Sequence, residues 1–471
     1  RGQAHSQGTH GHLRSSSLST PDAPVPARGP FDVFIPTRQP GVSPSPLITF
    51  PPPMPNRRHA PRSLALRSAT LVLLLAAATS ACVKTVRTPL KQALPSVLGA
   101  ESATPLCYGN PGLINGDWSA VAGTVADIDG DGRVDLALMT RSSTGAHAVT
   151  FAINDGRGGL RPTTGLQFPM TPIAIEAADL NADGQLDLAI AATPAAGTRD
   201  DPAVHLLLGR GQGQFIAGAV ATKVRPAGLW IADITGDGAL DLLVLAEGGG
   251  EVEVLRGDGR GEFTSLTRTS LHGKIRPEGL TLGDFDLDKR LDLATLADRG
   301  GKAEAVVSVL RGDGKGAFKL ASRRVVGRHG RALVAADFNA DGIADLTALA
   351  DAAGDGASSP IAAVMLGDGN LGFSAISYFG PDKVADAIVT DLDRNGVPDL
   401  LIAASEGNGA VPRLLPGDGR GGFGPVVNVP EGGNTFHIAR AADLDADGRP
   451  ELLLFGPQVP GVAILPPRAC R

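Results

Sequence analysis

The chain has 471 residues, 42% of them hydrophobic and 20% charged, so it can bury a substantial core in two or three ordinary domains or one large all-β domain. Its 62 glycines and 36 prolines favour many short elements joined by turns over long helices. The formal net charge is −6, and the part after Cys82 is more acidic still, which disfavours nucleic acid as a partner.

Residues 1–53 are rich in Pro, Ser, Gly and Arg and show no apolar periodicity. Such a segment cannot bury enough surface to offset the entropy of ordering, so we predict that it is disordered. The first methionine is Met54, and translation from Met54 would leave this extension out.

Residues 54–82 have the pattern of a secretory signal. Basic residues lead into the apolar run 71–78, which is too short to span a membrane, and small residues follow before Cys82. The sequence around Cys82 resembles the bacterial lipobox, in which the cysteine is diacylated and becomes the first mature residue, although Thr79 stands where leucine is usual. We expect a lipid anchor on Cys82 in the bacterial envelope, at the outer membrane or cell surface, followed by a linker over residues 83–104. Ordinary signal cleavage, which would give a secreted protein, is the alternative.

An acidic stretch of nine residues occurs seven times after this linker. The copies, here called the acidic loops of units one to seven, start between 51 and 54 residues apart. They read DIDGDGRVD from Asp127, DLNADGQLD from Asp179, DITGDGALD from Asp233, DFDLDKRLD from Asp284, DFNADGIAD from Asp337, DLDRNGVPD from Asp391 and DLDADGRPE from Asp443. So regular a spacing identifies a repeat protein.

A glycine-rich motif, here called the glycine turn, follows each of the first six acidic loops, as in VLRGDGRGEF and VLRGDGKGAF. Short apolar runs precede the acidic loop, follow it and lead into the glycine turn, and a weaker run begins at the Phe after that turn. Each unit therefore predicts four short antiparallel strands.

Seven such units predict an all-β fold, a seven-bladed β-propeller of four-stranded blades over residues 105–471. A lone four-stranded sheet must stack on neighbouring sheets to bury both of its faces. A calcium-binding parallel β-helix would repeat about every nine residues, and an EF-hand would place a helix after the loop. Neither alternative fits the period or the apolar runs.

The ends of the repeat predict how the ring closes. The seventh unit stops before a glycine turn and lacks a fourth strand, whereas residues 106–116 precede unit one at the offset of a fourth strand. We predict that this segment completes the last blade. Cys107 and Cys470 would then lie on or beside neighbouring strands, and we hypothesise a disulfide between them, with two unpaired cysteines as the alternative.

Each acidic loop has side-chain oxygens at positions 1, 3, 5 and 9, a residue for the sharp turn at position 6 and a carbonyl at position 7. An oxygen cage without His or Cys favours calcium, up to seven ions in all, over zinc or copper. The predicted ligands are Asp127, Asp129, Asp131, Arg133, Asp135, Asp179, Asn181, Asp183, Gln185, Asp187, Asp233, Thr235, Asp237, Ala239, Asp241, Asp284, Asp286, Asp288, Arg290, Asp292, Asp337, Asn339, Asp341, Ile343, Asp345, Asp391, Asp393, Asn395, Val397, Asp399, Asp443, Asp445, Asp447, Arg449 and Glu451.

The seven sites are not expected to be equal. Lys289 replaces the glycine of unit four and brings a positive charge and a Cβ to the turn, so we predict that this site is the weakest. Thr235, Asn395 and Glu451 should change affinity more than geometry. About half of the chain's 49 acids lie in these loops, so like-charge repulsion should make the metal-free protein looser.

The pairing of DxDxDGxxD loops with GDGxGxF turns resembles the FG-GAP/VCBS repeat family, whose propeller also forms the head of the integrin α-subunit. The resemblance spans about residues 106–470. It implies that each acidic loop joins two strands of a blade and that its calcium is structural, bound through positions 1, 3, 5, 7 and 9. A shared fold does not by itself fix a function.

Seven near-equivalent loops suit a repeated structural element better than an active site, so we expect no enzyme. The RGD tripeptides at 256–258 and 311–313 are interpreted as glycine turns that follow an arginine rather than as adhesion ligands. The leading hypothesis is an exported, lipid-anchored, monomeric propeller that binds an unknown protein or glycan at the cell surface. A polysaccharide-active or other hydrolytic enzyme that uses a propeller face and a purely structural surface component are the alternatives.

Overall fold

The structure is a computed structural model that describes residues 106–108, 112–163, 165–194, 202–299, 304–351, 362–374, 376–379, 384–406, 409–429, 438–456 and 460–469. Every regular element in these ranges is a β-strand. They contain no helix with the length and apolarity that a membrane span needs. The predicted extension, signal segment and linker, residues 1–104, lie outside the described residues and stay predictions.

The first fourteen strands are β1 (Leu106–Tyr108), β2 (Gly112–Ala126), β3 (Asp135–Ser142), β4 (His147–Asn154), β5 (Leu160–Pro162), β6 (Leu166–Phe168), β7 (Thr171–Ala178), β8 (Asp187–Thr193), β9 (Ala203–Gly209), β10 (Phe215–Ala221), β11 (Pro226–Ala232), β12 (Asp241–Ala246), β13 (Glu251–Gly257) and β14 (Phe263–Ser270). The others are β15 (Lys274–Gly283), β16 (Asp292–Arg299), β17 (Glu304–Gly312), β18 (Phe318–Ala336), β19 (Asp345–Asp351), β20 (Ala362–Met365), β21 (Ser377–Phe379), β22 (Val384–Thr390), β23 (Asp399–Glu406), β24 (Gly409–Leu415), β25 (Val427–Asn428), β26 (Ile438–Ala442), β27 (Glu451–Phe455), β28 (Pro460–Leu465) and β29 (Pro467–Ala469).

Successive strands pair antiparallel within each unit, as the repeat predicts. Three sheets contain four strands each, in the orders β10-β9-β8-β7, β11-β12-β13-β14 and β22-β23-β24-β25. In each of these sheets the acidic loop joins the first two strands and the glycine turn joins the last two. The local prediction of four strands around two motifs is therefore confirmed for these units.

Two sheets contain more strands than the predicted four, because in each of them one long strand belongs to two units. The 19-residue β18 pairs with β17 through its first half and with β19 through its second half. Its register shifts between Arg328 and Ala332, and His329 lies there with φ of +51°. An irregularity of this kind bends a strand without breaking it, so the chain passes from one unit to the next without a turn.

The other continuous strand, β2, joins the beginning of the repeat to its end. Its first residues pair with β28, with Gly112 opposite Ile464 and Ile114 opposite Val462, and its remainder pairs with β3. The prediction that the segment before unit one completes the last sheet is thus confirmed. The short strands β1 and β29 add a further pair in which Cys107 lies opposite Arg468, whereas Cys470 lies outside the described residues.

The second strand of each unit is apolar on both faces because both faces are buried. In β12, Leu242 and Val244 belong to one hydrophobic cluster, whereas Leu243 and Leu245 belong to the next. All four side chains are completely buried. This explains why the runs after the acidic loops are continuously apolar, since alternate residues of a strand point to opposite faces of a sheet.

The described core consists of seven hydrophobic clusters, each lying between two units. Six clusters join units that follow one another in the chain. The seventh joins the last unit to the first, where Leu453 and Val462 pack with Ile114 and Val125. The sheets therefore stack face to face in a propeller-like arrangement.

Candidate metal centres

The carboxylate at position 1 accepts hydrogen bonds from the backbone of its own acidic loop in units one to six. In unit one, Asp127 Oδ1 accepts hydrogen bonds from the backbone N–H groups of Gly130 and Asp131 at 2.8 and 3.1 Å, and Oδ2 accepts one from Gly132 at 2.8 Å. The bond from position 6 recurs in units two to six. Capping of backbone donors by an aspartate stabilises a tight turn and holds the carboxylate at its centre.

Positions 3, 5 and 7 continue the same pattern. The backbone N–H of position 7 donates to the side-chain oxygen of position 5 in all seven loops, at 2.7–3.0 Å. The backbone N–H of position 5 donates to the side chain of position 3 at 3.0–3.3 Å in every loop except that of unit three, which has Thr235 there. The predicted ligand positions therefore share one geometry despite their different sequences.

Two positions of the loop adopt the left-handed backbone conformation that favours glycine. At position 6, Lys289 takes the place of glycine with φ of +71°, and its N–H still donates to Asp284 Oδ2 at 2.9 Å. The left-handed conformation of position 4 was not predicted from the sequence, where its only signal is the glycine in units one and three. The non-glycine residues there have φ between 57° and 61°; they are Ala182, Leu287, Ala340, Arg394 and Ala446.

Besides being a predicted metal ligand, the carboxylate at position 9 accepts backbone hydrogen bonds that the sequence did not predict. Asp241 is fully buried; its Oδ2 accepts the N–H groups of Ile234 and Thr235, and its Oδ1 accepts that of Gly257, all at 2.9 Å. Units one to six share the bonds to position 2 and to the first residue of the glycine turn. In unit seven, Glu451 accepts the N–H of Leu444 at 2.7 Å. Position 9 therefore ties the acidic loop to the glycine turn, which explains why the two motifs occur in phase.

The glycine turn packs tightly against the acidic loop of its own unit. A Cβ on Gly257 would collide with the carbonyl oxygen of Leu240, and one on Gly312 with that of Leu291, both at position 8. Glycine is needed at this close approach because it has no side chain. Unit one has Asn154 instead, and its Nδ2 donates to the carbonyl oxygens of Val134 at 3.0 Å and Leu444 at 2.8 Å.

The glycine turn of one unit also contacts the acidic loop of the unit before it. The N–H of Leu371 in the turn of unit five donates to the carbonyl of Phe285 in the loop of unit four at 3.3 Å, and Gly421 makes the equivalent bond to Phe338 at 3.1 Å. The rings of Phe285 and Phe373 meet edge to face, with centroids 6.1 Å apart. The acidic loops of units four and five are thus supported by the following unit through position 2.

Four loops bring three carboxylates close enough to share one cation. The ligand oxygens lie within 4.8 Å of one another in each of the four groups, which are Asp127, Asp129 and Asp135; Asp284, Asp286 and Asp292; Asp391, Asp393 and Asp399; and Asp443, Asp445 and Glu451. The other loops have an amide or hydroxyl at position 3, which also offers an oxygen. Among the described loop residues, the carboxylate oxygens Asp284 Oδ1, Asp286 Oδ2 and Asp443 Oδ1 are buried without a hydrogen-bond donor, and Asp286 Oδ2 has only an ion pair with Arg311. Oxygen-only clusters with such unsatisfied acceptors fit a hard cation.

Burial raises the pKa of the position 9 carboxyls. The pKa of Asp135, Asp292 and Asp399 rises to about 7 and that of Asp345 to about 6, because desolvation outweighs the hydrogen bonds from backbone N–H groups. Burial also raises the pKa of Glu451 to about 7. Without a cation these groups therefore keep their protons to a higher pH than ordinary carboxyls, whereas a bound cation would favour their charged forms.

Stability of the metal-free protein should therefore fall as the pH rises. A carboxyl titrates near about pH 4 in the unfolded chain, so a folded pKa near 7 stabilises the fold fully below about pH 4, and this contribution disappears as the pH rises to about 7. We expect a higher melting temperature at about pH 5 than at about pH 8 in metal-free buffer. Calcium should weaken or reverse this dependence, and Asp399→Asn should reduce it. An increase in metal-free stability across the same range would contradict the assignment.

Stacked antiparallel sheets whose repeated loops form oxygen-lined clusters define a β-propeller class with candidate metal centres. The family described as FG-GAP-like repeat matches residues 127–190, 233–295 and 391–454. Each match begins at an acidic loop and includes the next one, so together they take in every loop except that of unit five. Together with the stacked sheets, these matches support an FG-GAP repeat β-propeller protein, as the motifs predicted.

No curated protein sequence matches the chain significantly. One similar solved structure is a lectin of Agrocybe aegerita, described for its recognition of non-reducing terminal N-acetylglucosamine; it is 17% identical, with a TM-score of 0.48, over 74% of this chain and 85% of the lectin. Another is a protein of Lactobacillus plantarum, 15% identical with a TM-score of 0.44, over 67% of this chain and 86% of that protein. Neither likeness is close enough to bear on function.

Proposed function

We propose that this protein is a calcium-binding, seven-bladed β-propeller that is exported to the bacterial envelope and acts as a binding module at the cell surface. The FG-GAP repeats and the propeller-like fold support a binding or structural module in general. The observation that carries the proposal is the recurrence of one loop geometry seven times, each copy closed by a position 9 carboxylate. A single catalytic centre would not need seven copies.

The seven-bladed ring is supported by the clusters between units. Seven hydrophobic clusters link seven units in succession, and one of them joins the last unit to the first. The pairing of Gly112 and Ile114 with β28 supplies the strand that unit seven lacks. Asn154 adds a hydrogen bond from unit one to Leu444 of unit seven. These contacts between the first and last units support a closed ring.

Calcium is the cation that the loops fit best. Positions 1, 3, 5 and 9 would hold the ion with side-chain oxygens, together with the carbonyl of position 7, and all donors are hard oxygens. The ion would supply the positive charge that the convergent carboxylates lack. We propose a structural role because position 9 links the site to the glycine turn rather than to an open cleft.

We propose that a disulfide between Cys107 and Cys470 secures the closed ring. The backbone of Cys107 lies opposite Arg468 in the β1–β29 pair, so Cys470 follows close behind in sequence. In the chain-entropy model a loop of this length could add about 4 to 5 kcal/mol to the free energy of unfolding. Non-reducing peptide mapping of exported protein should find the cross-linked peptides, and reduction should lower the melting temperature. Two free thiols in that material would contradict the disulfide.

The proposed ligand is a protein rather than a glycan. Sugars commonly stack on exposed aromatic rings, but Tyr108 and Trp230 are each 6% exposed in the hydrophobic clusters, and the half-buried Trp118 packs against another cluster. A hydrolytic enzyme with its site on a propeller face remains the second candidate, and paired carboxylates outside the acidic loops would favour it.

The lipid anchor on Cys82 would place the module at the membrane without a spanning segment.

Location and binding can be tested separately. Metabolic labelling with radioactive palmitate should label the wild-type protein and not Cys82→Ser, and surface proteolysis should remove the labelled protein from intact cells. The purified propeller should then retain envelope proteins from the same cells in calcium and release them in EDTA, while a glycan array stays negative. Unlabelled cytoplasmic protein would contradict the location, and calcium-dependent signals on the array alone would contradict the proposed ligand.

A further inference from the structure

Two arginines reach from glycine turns into the acidic loops of units three and four. Arg256 stands directly before the first glycine of its turn, and its Nε and Nη2 donate to Asp237 Oδ2 at 2.9 and 2.6 Å. Arg311 has the same place in unit four, and its Nη2 forms an ion pair with Asp286 Oδ2, whose side chain is 2% exposed. Asp237 is position 5 of its loop and Asp286 is position 3. Each guanidinium thus holds an oxygen that a cation in the loop would need.

The repeat shows that the turn itself does not require an arginine. The residues at the same place are Leu208 in unit two and Leu366 in unit five, and the first glycine of the turn bonds to position 9 in all four units. A guanidinium stays protonated at any relevant pH and presents a rigid set of donors to a carboxylate. Units three and four therefore carry a permanent internal cation that units two and five lack.

We propose that Arg256 and Arg311 are tethered counter-ions that compete with calcium for the acidic loops of units three and four. They would keep these two loops ordered without the ion and make them bind it more weakly than loops without the arginine. The inference rests on the proposed calcium binding. It also explains the two RGD tripeptides, because their arginines pair with the acidic loop of their own unit rather than project freely.

The competition predicts opposite effects on the metal-free and the metal-bound protein. Removing the arginine takes away an ion pair from the empty loop and a repulsive charge from the occupied one. Arg256→Leu and Arg311→Leu, which copy the leucines of units two and five, should lower the melting temperature in EDTA and enlarge its rise on addition of calcium. Arg260→Leu is the matched control, since Arg260 is an exposed arginine of the same turn as Arg256.

Unit three allows its own loop to be titrated. Trp230 lies three residues before Asp233 on β11, about 10 Å away along the strand, so it should sensitise the luminescence of terbium bound in that loop. Trp118 lies nine residues before Asp127, about 30 Å along an extended strand. Trp230→Phe should therefore abolish the sensitised emission, and Asp233→Asn should weaken or remove it while Asp284→Asn does not, which assigns the signal to the loop of unit three.

Arg256→Leu should lower the terbium midpoint about three- to thirtyfold, whereas Arg260→Leu and Arg311→Leu should leave it nearly unchanged. Calorimetric titration with calcium should show one tighter site in Arg311→Leu. The competition would be overturned, while calcium binding stands, if Arg256→Leu needed as much terbium as the wild type or more for half-saturation. The same conclusion would follow if Arg260→Leu lowered the midpoint as much as Arg256→Leu. Absence of any terbium or calcium binding in the wild type would overturn both the proposed function and the competition.

Discussion

Replacing Asp241 by alanine should destabilise the protein by about 3 to 5 kcal/mol, even without metal. The side chain is fully buried, and three backbone N–H groups donate to it, those of Ile234, Thr235 and Gly257. Alanine would leave these donors buried without an acceptor, and each such loss costs on the order of 1 to 3 kcal/mol. Chemical denaturation of the metal-free protein measures the change directly.

Two further variants give this prediction its controls. Asp241→Asn keeps the shape and one acceptor oxygen, so its loss should be smaller than that of alanine. Asp258→Ala removes an exposed carboxylate that accepts the N–H groups of Arg260 and Glu262 at the tip of the same turn, where water can replace it. A loss for Asp258→Ala as large as that for Asp241→Ala would show that position 9 has no special structural role.

Much of the fold could be predicted from the sequence because the repeat averages out local ambiguity. A single DIDGDGRVD could be many kinds of turn, but seven copies in phase with a glycine turn define four strands around two fixed points. The missing fourth strand of unit seven also predicted the pairing of residues 112–114 with β28, which the structure confirms. Counting elements within the period was sufficient for this.

The continuity of β2 and β18 could not be predicted in the same way. The chain between units contains glycines and polar residues that are typical of turns, yet β18 passes through them with a local irregularity at Arg328 to Ala332. Whether a strand bends or ends there depends on its pairing with strands of two different units. That information lies in tertiary contacts rather than in local propensity.

The acidic loops were predicted as ligand sets, and their scaffold was missed. Position 9 is acidic whether it binds a cation, accepts backbone hydrogen bonds or does both, so its residue type alone cannot distinguish the roles. Position 2 is merely apolar in sequence, although the ring of Phe285 supports the next unit through Phe373. The arginine contacts of Asp237 and Asp286 also join separate motifs, and only the folded chain brings them together.

Removal of calcium should have the largest effect of all, because several sites contribute together. A ligand that binds only the folded state adds about 2.7 kcal/mol per site at a concentration of 100 Kd. The three such loops outside unit four, whose site is predicted to be weak, could therefore add on the order of 8 kcal/mol if they act independently. Magnesium should stabilise less, because it requires a tighter octahedral set of ligands than these loops of side-chain and carbonyl oxygens provide.

A variant can show that the acidic loops are responsible. Asp127→Asn, Asp391→Asn and Asp443→Asn together change position 1 in three of the convergent loops while leaving each position 9 carboxylate intact. The amide keeps the size of the side chain and removes one charge per site. The calcium-dependent gain in melting temperature should shrink by more than half. The metal-free melting temperature should fall by less than this, because each amide still offers one oxygen to the backbone N–H groups of its loop.

The most direct test of the account is the melting temperature of the purified propeller in calcium, in magnesium and in EDTA at neutral pH. We expect calcium to raise it by at least about 10 °C over EDTA and magnesium to raise it by much less. Equal melting temperatures in the three conditions would contradict the claim that calcium in the acidic loops stabilises the ring.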